Sequence, residues 1–217
     1  MARTKQKQNE SLYIDVNAPI GSVPPVANIS NSIAIGNTAS ANGFASTSIG
    51  KDTITSGSNA VALGVGSQCG SSGSIAIGFQ SIATTGNRAI AIGSNNMAYG
   101  IDSVVMGVGS LSESSATASM AIGQGARVRA AAGVAIGDNA EVDTGATNAV
   151  QIGNGTNDTI NTMQYLNNTI ASSNGIVAGS TSGAPAGAGV TNEIRFDPAG
   201  PILYIYDGST WRSTTLT

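Results

Sequence analysis

Histidine is absent from this 217-residue chain, cysteine occurs once, and only nine residues are aromatic. Without His there is no Ser-His-Asp or Cys-His nucleophile, and zinc sites of the usual kinds lose their commonest ligand. The single Cys69 cannot close an intrachain disulfide, and with no basic neighbour to lower its pKa it reads as a small semi-buried residue. Charged residues make up only 10% of the chain and the net charge is −3. Arg3, Lys5 and Lys7 all fall in the first eight residues, so the remainder carries −6 and offers no broad basic surface for nucleic acid. The basic start MARTKQKQNE runs into polar residues, so no secretory signal is expected there. No apolar run approaches ~18 residues, so no membrane-spanning helix is expected either.

Glycine is plentiful, with 29 residues, and hydrophobic residues make up 41%, drawn mainly from Ala, Ile and Val. Such small side chains cannot fill a wide globular core, so a thin core suits them better. Low charge argues against the disordered class, and the lack of a strict Gly-every-third pattern excludes collagen.

The middle of the chain repeats an apolar-small-apolar-Gly motif. It appears as Ser32-Ile33-Ala34-Ile35-Gly36, Thr47-Ser48-Ile49-Gly50, Ala60-Val61-Ala62-Leu63-Gly64, Ser74-Ile75-Ala76-Ile77-Gly78 and Ala89-Ile90-Ala91-Ile92-Gly93. It continues as Ser103-Val104-Val105-Met106-Gly107, Ser119-Met120-Ala121-Ile122-Gly123, Gly133-Val134-Ala135-Ile136-Gly137 and Ala149-Val150-Gln151-Ile152-Gly153. Successive glycines stand 14, 14, 14, 15, 14, 16, 14 and 16 residues apart. The period of two predicts a short strand with one apolar face and one flat small-residue face. The large residues Ile33, Ile35, Val61, Leu63, Ile75, Ile77, Ile90, Ile92, Val104, Met106, Met120, Ile122, Val134, Ile136, Val150 and Ile152 are the expected repeat core. Glycines 36, 50, 64, 78, 93, 107, 123, 137 and 153 mark a corner that needs positive φ or close backbone approach. A second small position follows three residues later, and Gly43, Gly57, Gly86 and Gly100 mark a second corner.

A 14-residue coil with two strands and two turns hides its apolar side chains only by stacking on the next coil. The expected fold is therefore an all-β parallel solenoid, or β-roll, of about nine coils and about 43 Å, at ~4.8 Å per coil. Residues inserted in the longer spacings should bulge at corners, because a slip inside a strand would exchange its faces. The flat face of Ala and Ser is where copies are expected to associate, most simply with closed symmetry.

The ladder of Ser-Ile-Ala-Ile-Gly and Ala-Val-Ala-Leu-Gly resembles the head repeats of trimeric autotransporter adhesins, the YadA-like heads, across residues 31–155. That resemblance implies a left-handed β-roll, a homotrimer, an adhesive role and no enzyme activity. Such heads also occur in phage and large-virus fibres. Those adhesins carry a secretory signal and a C-terminal β-barrel anchor, which are not apparent here, so a complete cell-surface autotransporter is not expected.

Residues 1–30, with Pro19, Pro24 and Pro25, lack the repeat and read as an extended arm, a candidate anchor to other virion or capsid proteins. Ala2-Arg3-Thr4-Lys5-Gln6 also match the start of a core histone tail, a short match that carries little weight. Residues 156–190 read as a neck and a Gly/Ser/Ala-rich linker. Ile160, Met163, Leu166 and Ile170 have near-helical spacing, although their Asn and Thr neighbours are poor helix formers. Residues 191–217 hold four of the aromatics, and turn signals at Asp197-Pro198-Ala199-Gly200 and Asp207-Gly208 predict an antiparallel meander. Its ending, Tyr206-Asp207-Gly208-Ser209-Thr210-Trp211, resembles short C-terminal modules of phage and giant-virus fibres, with Tyr204, Tyr206 and Trp211 as candidate tip contacts.

Asp138, Glu141 and Asp143 cluster at one corner and read as solvated turn residues, with a carboxylate pair or cation site as the sharper alternative. No catalytic, cofactor or metal site is expected. Sequons at Asn9, Asn28, Asn154, Asn157 and Asn167 matter only on a secretory route. The leading expectation is a homotrimeric virion fibre or spike that touches a host surface protein or glycan. A passenger fragment of a bacterial adhesin comes second. An ice-binding solenoid would need Thr rows that Thr38, Thr53 and Thr84 do not align, and a polysaccharide-cleaving tailspike would need a grooved carboxylate pair.

Overall fold

The computed structural model describes residues 3–7, 11–15, 22–160, 163–165, 194–197, 202–206 and 209–215, all strand, turn or irregular, with no helix among them. The chain divides into two units between residues 169 and 170.

The first unit is a parallel β-solenoid. Strands that begin three residues before each repeat glycine form one sheet, and two- or three-residue strands such as Gln68–Cys69 and Ile82–Ala83 form a second. Each coil visits both sheets, so neighbours within a sheet are one repeat apart. Ile75, Ala76, Ile77 and Gly78 pair with Ile90, Ala91, Ile92 and Gly93, one to one. The extra residues of the three longer spacings fall in the second corner, at 84–88, 113–118 and 143–148, so the strands of the long sheet stay paired in register. In the central coils the strand runs through the glycine, as in Ile75–Phe79 and Val104–Val108, so the sharp turn comes two residues later than expected.

The faces are the reverse of the expectation. The small residue of each strand points inward: Ala34, Ser48, Ala62, Ala76, Ala91, Val105, Ala121, Ala135 and Gln151 are fully buried. The sixteen residues expected as core, Ile33, Ile35, Val61, Leu63, Ile75, Ile77, Ile90, Ile92, Val104, Met106, Met120, Ile122, Val134, Ile136, Val150 and Ile152, lie outside and are half-buried, or exposed at Met106 and Ile136. The cause is the tightness of the coil. Each turn sends about four side chains inward, for example Ser74, Ala76, Ser81 and Ala83, and two closely opposed sheets leave room mostly for such residues, with Val105, Val128, Val142 and Gln151 among the largest accommodated.

A core of this kind must satisfy its polar groups. The buried Ser81 hydroxyl donates to Ile77 O at 3.1 Å and Gly93 O at 2.9 Å, tying adjacent coils. Ser67 and Asn96 repeat this one coil before and after. At the other corner Ser74 donates to Gly86 O and Ser103 to Gly100 O. Gly78, at φ +121°, shows why the corner excludes a side chain: a Cβ there would stand 1.8 Å from Gly93 O.

Residues outside the repeat also join the roll. Arg3–Lys7 and Ser11–Asp15 form an antiparallel hairpin whose second strand pairs in parallel with Ile33–Ile35, and Val26–Ala27 pairs with Ser40–Ala41. The segment read as an extended arm thus adds three strands to the sheets among its described residues. Met163–Tyr165 is a strand on Val150–Ile152 rather than part of a helix. The other positions of that helical spacing after Ile160, Leu166 and Ile170, lie outside the described residues.

In the second unit Ile194–Asp197, Ile202–Tyr206 and Trp211–Thr215 form the expected three-stranded antiparallel meander.

Candidate functional site

Alternation along each strand puts the residues one and three before the glycine on the same outward face, and pairing aligns them into two rows. One row runs Ile75, Ile90, Val104, Met120 and Val134, and the other Ile77, Ile92, Met106, Ile122 and Ile136. Where the strand continues through the glycine a third outward row follows, Phe79, Ser94, Val108 and Gln124. Phe79 and Val108 are 50% and 52% exposed. Thr47 is the one polar interruption of the two main rows across the nine repeat strands. Isolated apolar residues on a surface are ordinary, but a continuous apolar strip of this length marks an interaction face.

The outward face of the second sheet is mixed. Ile82, Met97 and Leu111 align in its centre, and Arg127 and Glu141 continue the row. Beside them Arg129 gathers Glu113 at 3.2 Å, Glu141 at 2.8 Å and Asp143 at 3.1 Å. The backbone amide of Thr144 and then the Arg129 guanidinium hold the Asp143 carboxyl below its ordinary range. Glu141 and Asp143 are therefore parts of an ion-pair cluster, and Asp138 sits apart from them, bonded to Asn139. Among the described residues no group of three acidic, His or Cys side chains is arranged to hold a metal ion.

Cys69 occupies an inward position in line with Thr55 and Ala83 and is 1% exposed. Its thiol donates to Val61 O, and burial pushes its pKa up to about 11, the opposite of a reactive cysteine. Of the sequons, Asn28 and Asn154 are exposed, while Asn157 is buried and donates to Val150 O. In the meander Tyr206 pairs with Trp211 and Tyr204 with Ser213, and Trp211 is half-buried.

The inward amides Gln151 and Asn157 went unnoticed in the sequence; they stand in rows held in other coils by Ala, Ser, Thr55, Cys69 and Val. The alternation was readable: Val150-Gln151-Ile152 and Met163-Gln164-Tyr165 have the same large-polar-large pattern and pair in register.

These features define a stacked parallel β-solenoid with a continuous outward apolar strip. A family model, the YadA head domain repeat (2 copies), matches residues 30–43, 41–67, 71–96 and 114–140, somewhat under half of the chain. The coils within those residues are YadA-like head repeats. Among solved structures, the collagen-binding domain of the Yersinia adhesin YadA is similar at 26% identity and a TM-score of 0.46, covering 76% of this chain and 80% of that one. No curated protein matches.

Proposed function

We propose that the chain is the head of a homotrimeric adhesive fibre, in which three copies turn their outward Ile/Val/Leu/Met rows toward a common axis. The supporting observation is the inversion of the faces. Seven of the nine strands bury Ala or Ser within their own chain, the other two Val105 and Gln151, and each leaves its large apolar residues outside, along the length of nine coils. A lone copy in water would expose that strip, and closed cyclic symmetry is the common way to cover such a strip. With the strip covered, the corners and the second sheet remain for contact with a host surface protein or glycan. The role is adhesive and structural, without catalysis.

On this reading the fibre belongs to a virion. The described strands of residues 1–30 extend one end of the roll and would carry the docking to other virion proteins, and the meander bearing Tyr204, Tyr206 and Trp211 would form the tip. The resemblance of the Tyr206–Trp211 string to fibre modules supports this choice. The head repeats themselves fit a passenger segment of a bacterial adhesin equally well. Two measurements test the proposal. Purified full-length chain, labelled and applied to arrays of glycans and extracellular-matrix proteins, should bind at least one class saturably, and no binding to either would count against an adhesin. An antibody to the roll should decorate purified particles; labelling of a bacterial surface alone would favour the passenger reading.

A further inference from the structure

Two apolar rows across nine coils at ~4.8 Å per coil, on a strip about 10 Å wide, give roughly 430 Å² of flat apolar surface per copy. A stable interface takes about 800 Å² per partner, so the strip alone falls short and its edges must add contact. The edges are distinct. One is the third outward row beyond the glycine, where Val108 is 52% exposed. The other is the turn that leads into each strand, where Ile101 is 42% exposed. Among the nine repeat coils, residues 101–108 carry a large exposed apolar residue at both edges.

That coil also departs from its neighbours inside. Val105 takes the inward position held by Ala in its neighbours, and Met106 projects outward at 38% exposure. The turn presenting Ile101 is fixed as well. Asp102, at φ +57°, is held through two bonds from Arg88, 2.5 and 2.7 Å, and its amide donates to Asn87 O at 3.0 Å.

In a cyclic assembly about an axis parallel to the roll, equal coils stand at equal height and one edge of each copy faces the opposite edge of the next. Building on the trimeric reading, we infer that coil 101–108 is the belt of the assembly, with Val108 of each copy seated against Ile101 of its neighbour, three times around the ring. The partner is a second copy of this chain, and the contact is heterologous.

The test places Ile101→Cys and Val108→Cys together in the full chain and oxidises it mildly; native Cys69, 1% exposed, does not compete. The expected product on a non-reducing gel has the mass of three chains, and each single variant stays at one. A trimeric parent by light scattering whose double variant fails to link, or whose single variants link into dimers, overturns the belt while leaving the trimer intact. A monomeric parent overturns both. Should the cysteine pair not fold, Ile101→Glu and Val108→Lys replace it. Each alone should lower the melting temperature of the trimer and the pair should restore it; additive losses contradict the contact.

Discussion

The two faces of the long-stranded sheet differ in kind. Inward, the strands carry mostly Ala, with Ser48, Val105 and Gln151 at single positions, all fully buried; outward, the same strands carry Ile, Val, Leu and Met that stay partly open to solvent. The usual association of large apolar residues with the inside fails because the interior of a 14-residue coil is too narrow for them. Packing and hydrogen bonding hold the single chain, and on the proposed reading the apolar strip is left for other copies.

The comparison breaks most severely at the corner glycine. Gly78→Val would put a Cβ 1.8 Å from Gly93 O, a carbonyl that the next coil cannot move. The expected loss exceeds about 4 kcal/mol, seen as failure to obtain a folded roll by circular dichroism. Gly109, at φ +65° with open space around it, occupies a corner row that elsewhere holds Asn95 and Asn139, so Gly109→Asn should change stability by less than about 0.5 kcal/mol.

Exchanging character across the strand should separate the faces. Ala91→Leu forces three extra carbons and a branch into a filled interior and should cost about 1–3 kcal/mol or more in chemical denaturation. Ile92→Asp, one residue on but outward, should preserve the coil and weaken association, seen as a lower mass in dilute solution. If both variants lose the fold alike, the distinction between the faces is wrong.

A smaller effect sharpens the polar half of the interior. Ser81→Ala removes a donor shared by Ile77 O and Gly93 O and should cost about 1–3 kcal/mol, as unmet buried groups do. Of similar size is the pH effect of Cys69. Its folded pKa is raised to about 11, so its contribution is fully present below the unfolded value near 9 and is lost as pH rises toward 11. A pH titration of stability should fall across that window in the parent and be flatter in Cys69→Ala, and the native thiol should resist alkylation below pH 9.

The repeat, the strand period and the meander were legible because the nine glycines fix the coil length and the alternation fixes the strands. Which face is inside was not legible from alternation, which gives two faces without assigning them. A signal was present all the same. Ser74, Ala76, Ser81 and Ala83 are all small within one coil, and a circuit with four small positions encloses something narrow. The pairing of residues 3–7 with 11–15 escaped notice because antiparallel strands break the repeat although the second strand keeps the register of Ile33–Ile35. The helix expected around Met163 lost to a strand because Met163-Gln164-Tyr165 can continue the sheet, while its Asn and Thr neighbours favour helix weakly.

The most direct test of the claim that the outward rows are covered by other copies is the mass of the full chain in solution by light scattering, across a dilution series. The account requires three chains, with Ile92→Asp shifting the mass downward at equal concentration. A well-folded monomer at every concentration would contradict it and return the apolar strip to the solvent.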